Sequence, residues 1–115
     1  MSVLVPVSWG EVIDKITILE IKAERIDDAA KRGNVRIELQ GLLAIWSGIE
    51  ARHPEVAELR TRLRTVNEAM WDVQDALRAK EAAQDFGAEF IALARAVGRT
   101  NGERVGLKNA INRLA

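Results

Sequence analysis

Acidic side chains at helical spacing carry the chemistry most within reach of this sequence. Glu11 and Asp14 stand three apart and Glu20 and Glu24 four apart in SWGEVIDKITILEIKAERI (8–26), and Glu68, Asp72 and Asp75 follow the same rhythm in VNEAMWDVQDALRAKE (66–81). Carboxylates at these spacings share a helix face, and two such faces opposed across a bundle can hold Mg²⁺ or Mn²⁺ and position a phosphoester for attack. On that reading the metal ligands come from Glu11, Asp14, Glu68, Asp72 and Asp75, with Glu20 and Glu24 completing the polar site. The helical wheel speaks for a plainer alternative. Glu68, Asp72 and Asp75 lie roughly 180° from the Val66, Met70, Val73 stripe, where a helix ordinarily faces water.

Like charges four apart on a helix repel, so Glu20 and Glu24 call for a counter-charge. Near the C-terminus Asn101, Arg104, Lys108 and Asn112 line one flank of a helix, and long basic side chains there can pair with acids or reach an anion. Trp71, with Asn67 and Arg78 on its flank, suits either ring stacking on a ligand or ordinary packing with one satisfied N–H. His53 is the only histidine, and beside Pro54 it reads as a turn residue. Cysteine is absent, which removes disulfides, thiolate metal sites and a cysteine nucleophile. No glycine-rich phosphate loop occurs, and Arg60, Arg62 and Arg64 alternate around a helix without forming one patch.

These residues need helices to position them. Ser8 and Glu11 form a capping box, with Val7 and Val12 placed as its hydrophobic staple, so a helix starts at Trp9. Val12, Ile16, Leu19, Ala23 and Ile26 make its compact core face, and Ile13, Ile18 and Ile21 fall outside it. A helix apolar on more than one side is expected to have neighbours on more than one side. Gly33 is a plausible stop and Asn34 the next N-cap; Val35, Leu39, Leu42, Trp46 and Ile49 then give a second helix, ending at His53-Pro54. From Glu55 to about Glu81 the stripe Val56, Leu59, Leu63, Val66, Met70, Val73, Leu77 predicts one helix about 40 Å long. That exceeds the mid-30s diameter of a compact domain of this size, so one end should overhang or meet another subunit. Phe86, Phe90, Leu93, Ala94 and Val97 form a fourth stripe closed by Gly98. Thr100 and Glu103 repeat the capping-box spacing ahead of a fifth helix with Leu107, Ile111 and Leu114 on its apolar face. The expected fold is a single all-α domain over residues 1–115, a bundle of about five helices in antiparallel hairpins with Val3–Val7 as a short extended arm.

Lysine plus arginine equals aspartate plus glutamate at 17 each, and 48% of the 115 residues are hydrophobic. The balance disfavours nucleic acid or an anionic membrane as main partner, and no apolar run approaches spanning length, so a cytoplasmic location is expected.

Three blocks, LVPVSWGEVIDKITILEIKAERI, VNEAMWDVQDALRAKE and FIALARAVGRTNGERVGLKNAIN, resemble a family of small bacterial proteins catalogued only as a domain of unknown function. The resemblance covers nearly the whole chain apart from the second helix. Its members often occur beside glycosyltransferase and surface-polysaccharide genes, which implies context and not chemistry, and it transfers no catalytic residue. This sequence departs from the family pattern in having Trp9 where proline is usual, Gln74 where an acid is, Gly102 where aspartate is, and no polar tail after Ala115. Losing acids at 74 and 102 would weaken any metal site.

The overlong third helix, the isoleucines outside the core face and the apolar arm together favour a non-catalytic interaction module that self-associates, as a homodimer or with another protein, and needs no cofactor. The alternative is a hydrolase of phosphoesters or nucleotides dependent on Mg²⁺ or Mn²⁺, with Arg104 and Lys108 holding phosphate.

Overall fold

A computed structural model describes residues 2–115, which form four helices and no strand: α1 (Trp9–Arg25), α2 (Ala29–Glu50), α3 (Val56–Ala82) and α4 (Ala88–Leu114). The start of α1 follows the capping box, since Ser8 Oγ accepts a hydrogen bond from the Glu11 amide at 3.3 Å. Val7 stays 60% exposed and contributes little as a staple. Lys22 and Arg25 in the last turn complement the helix dipole.

Two helix starts differ from the sequence expectation. Asp28, not Asn34, caps α2: its Oδ1 accepts from the Lys31 amide at 3.0 Å, so the helix begins before Gly33 and runs through it. The expected fourth and fifth helices are one. Gly98 lies inside α4, and Thr100 is a buried interior residue instead of an N-cap. A mid-helix glycine costs only about 1 kcal/mol relative to alanine, which packing along the rest of a helix of this length readily offsets.

The α3–α4 turn closes tightly. The Asp85 amide donates to Lys80 O at 2.9 Å and the Gln84 amide to Glu81 O at 3.0 Å, with Gln84 left-handed at φ 58°. This is a Schellman ending with glutamine in the position glycine usually takes.

In the middle of the fold α1 packs against all three other helices, while α2 packs mainly on α1 and α3 pairs with α4 along its length. Those three neighbours explain the excess isoleucines. Ile13, Ile16, Leu19 and Ile21 are all buried, so the core face is wider than, and rotated from, the Val12–Ile26 stripe read off the wheel; Val12, Ala23 and Ile26 are only half-buried. Ile13 and Ile16 join Trp46 of α2, Val56 and Leu63 of α3, and Leu107 and Ile111 of α4 in one core cluster. Trp46 meets Trp9 at 5.3 Å between ring centroids.

The molecule measures 48 × 34 × 25 Å with a radius of gyration of 16.1 Å, against about 13 Å for a compact domain of this length. The excess lies in the α3–α4 hairpin, which runs on past the end of α1. Overhang was expected of α3 alone; α4, equally long at 27 residues, shares it.

Candidate functional site

A polar node sits where α1, α3 and α4 meet. Asp14 projects from the buried side of α1 and is only 4% exposed. Arg104 of α4 grips it in a bidentate pair, Nε donating to Oδ1 at 2.9 Å and Nη2 to Oδ2 at 2.5 Å. Asn67 of α3 donates from Nδ2 to Asp14 Oδ1 at 3.0 Å and to Thr17 Oγ1 at 2.8 Å, and the Thr17 hydroxyl in turn donates to Asp14 O at 2.8 Å. Lys108 Nζ stands 3.9 Å from Asp14 Oδ2 and 2.6 Å from Glu11 Oε1. Burial alone would push the Asp14 carboxyl up, yet the hydrogen bonds from Arg104 and Asn67 and the charges of Arg104 and Lys108 outweigh it and hold the group below the usual carboxylate range. A carboxylate so fully engaged stays ionised and is a fastening between helices, not a proton carrier.

One turn away, Gly10 seats α1 directly on α4. Its amide, one of the orphan donors of a helix N-terminus, donates to Asn112 Oδ1 at 2.7 Å. A Cβ at this position would lie 2.5 Å from the backbone oxygen of Lys108, so only glycine permits the approach. Of the C-terminal stripe, then, Arg104, Lys108 and Asn112 all engage α1, and Asn101 is exposed.

Glu20 and Glu24 find their counter-charges on α3, not on the C-terminal stripe. Arg60 Nη2 lies 3.3 Å from Glu20 and its Nη1 3.5 Å from Glu50; Arg64 Nη2 lies 2.5 Å from Glu24 and its Nε 2.9 Å from Glu68. Asp72 pairs with Arg25 at 2.5 Å, and Asp75 pairs with Arg78. Of the acids singled out in the sequence, Asp14, Glu20, Glu24, Glu68, Asp72 and Asp75 therefore each meet a guanidinium group, and Glu11 meets the Lys108 ammonium. Among the described residues no group of three or more histidine, aspartate or glutamate side chains is arranged to hold a metal ion. His53 is half-buried with Nδ1 3.8 Å from Glu55 Oε1.

Beside the node a groove of about 190 Å³ opens, lined by Lys22, Asn67, Trp71, Gln74 and Arg104 among others. Arg25 stands over the Trp71 ring, 5.9 Å from its centroid. Trp71 and Asn67 share the flank expected for them, though Arg78 points to Asp75 instead. Sequence reasoning missed Asn67 as the link of the node and Lys22 as a wall of the groove. A signal existed for the first: Asp14, Thr17 and Asn67 are polar residues set at the edge of apolar stripes, where an unpaired group would be costly and a partner is required.

The chain belongs to a family of unknown function (DUF6165), whose model matches residues 3–115. No curated protein and no solved structure matches it.

Proposed function

We propose that the protein is a helical self-association module that dimerises through the free half of the α3–α4 hairpin. One observation carries this reading: from Trp71 to Arg99 no residue is buried, although the apolar stripe runs on through Val73, Leu77, Phe90, Leu93 and Val97. Two helices can cover only one edge of each other's stripe, and α1, whose Arg25 meets Trp71 and Asp72, ends at the beginning of this segment. At the tip, Phe86 is 51% and Ile91 49% exposed, with Phe86 set edge-on to Phe90 at 5.2 Å. A second copy fits this surface. Two antiparallel hairpins related by a twofold axis make a four-helix bundle, in which each stripe gains the neighbours it lacks. The uncovered Val3, Leu4 and Val5 of the N-terminal arm add apolar surface for a partner. A cytoplasmic location accords with this reading, as no helix among the described residues is long and apolar enough to cross a membrane.

Light scattering on the eluting protein tests it. A mass twice the 12.7 kDa of the chain is expected at tens of micromolar, returning to the single-chain mass in Ile91→Glu, whose unchanged helicity would show that only the contact was lost. A strictly monomeric wild type overturns the proposal.

A further inference from the structure

Three grooves of the surface differ in charge. That of about 500 Å³ between α3 and α4 has Arg62 and Glu103 in its walls, and that of about 280 Å³ sets Arg60 and Arg64 against Glu20 and Glu50. Each is balanced. The smallest, beside the Asp14 node, has Lys22 and Arg104 in its walls and no carboxylate; the Arg104 charge is matched from behind by Asp14, so Lys22 is the charge left over. Lys22 is half-buried and pairs with no acid among the described residues. Arg104 uses Nε and Nη2 on Asp14, which leaves Nη1 uncommitted and the guanidinium plane held rigidly by the node. The opposite character completes the groove: Ile18, Ile21, Met70 and the Trp71 ring supply apolar wall.

We propose that this groove binds a small organic anion, a single carboxylate or phosphate monoester carried on a flat, largely apolar body. The head group meets the Lys22 ammonium and Arg104 Nη1, and the body lies along Trp71 and the two isoleucines. Pre-set cationic donors next to an aromatic wall are the combination that recognises such a molecule. At 190 Å³ the groove falls below the ~300 to 1,000 Å³ of sites for drug-sized ligands, so a single-ring compound is the expected size. The groove borders the proposed self-association segment at Trp71 and Gln74, but its cations, Lys22 and Arg104, lie outside that segment, and light scattering reads the dimer while the Trp71 signal reads the ligand, so each proposal fails by its own measurement.

Phenyl phosphate and benzoate are the probes, titrated into the full chain while nitrogen–proton correlation spectra follow its three tryptophan indole signals. The Trp71 signal is assigned by its loss in Trp71→Phe. Either probe is expected to shift that signal saturably with Kd of about 1 mM or tighter, leaving the signal of the buried Trp46 in place. Which of the two binds more tightly separates phosphate from carboxylate ligands. Inorganic phosphate, which lacks the ring, and phenol, which lacks the charge, should each bind more weakly. Lys22→Gln should weaken the better probe about fivefold. No saturable shift with either probe, equal affinity for phenol, or an unchanged Kd in a folded Lys22→Gln protein would each overturn the proposal.

Discussion

Alanine at Gly10 should destabilise this protein, although glycine to alanine within a helix ordinarily does the reverse. The added methyl would stand 2.5 Å from Lys108 O and 2.8 Å from Asn112 Oδ1. The first obstacle is backbone, so relief requires α1 to lift from α4 by several tenths of an ångström. That movement stretches the 2.7 Å bond from the Gly10 amide to Asn112 and the Asp14–Arg104 pair one turn further along. Overpacking of this kind costs about 1 to 3 kcal/mol, and helix propensity returns up to about 1 kcal/mol. With the clash at about 2 kcal/mol, the middle of that range, the net loss is about 1 to 2 kcal/mol, which lowers Tm by roughly 4 to 8 °C for a chain of this size. Gly41 is the control, an exposed position inside α2 whose added Cβ would meet nothing within 4 Å. Its alanine variant should gain up to about 1 kcal/mol, a few degrees upward. Thermal melts by circular dichroism at one fixed protein concentration read both. A Gly10→Ala protein as stable as wild type would mean that the α1–α4 approach is not as close as described.

Asp14→Asn should cost about 3 kcal/mol at neutral pH, because it leaves the Arg104 charge partly buried without its partner. The folded-state pKa of Asp14 is lowered, so its contribution is complete above the unfolded value of about 4 and is lost as pH falls through the folded value. Wild type and variant melts should therefore converge in acid; a gap undiminished at the lowest pH would contradict the node. Ser8→Ala should lose about 1 kcal/mol with the cap. Thr100→Val, which deletes a hydroxyl inside a helix and keeps the volume, should change Tm by less than about 2 °C, whereas a capping threonine would behave like Ser8.

Much of the fold was legible locally. The α3 stripe gave the bounds of that helix to within a residue, and Ser8 with Glu11 announced α1, because helix periodicity and capping depend on residues within a turn of one another. The same pattern misled at Thr100. Four residues of the right kind propose a cap, but whether the chain bends there depends on what packs on either side, and Thr100 is buried with the helix unbroken around it. Asn34 failed for a like reason, Asp28 having already supplied the cap.

For the candidate site, the sequence by itself determined which acids and bases share a helix face, Glu20 with Glu24 and Arg104 with Lys108, while for Arg60 and Arg64 it showed only arginines spread around their helix. Only the tertiary structure decided which face meets which. Nothing in the local pattern distinguishes an acid that will meet a metal from one that will meet an arginine, and an arginine side chain is long enough to serve either of two neighbouring helices. The placement of α1 against α3 and α4, governed by the burial of its isoleucines and by the absence of a side chain at Gly10, made Arg104 the partner of Asp14 and Arg60 and Arg64 those of Glu20 and Glu24.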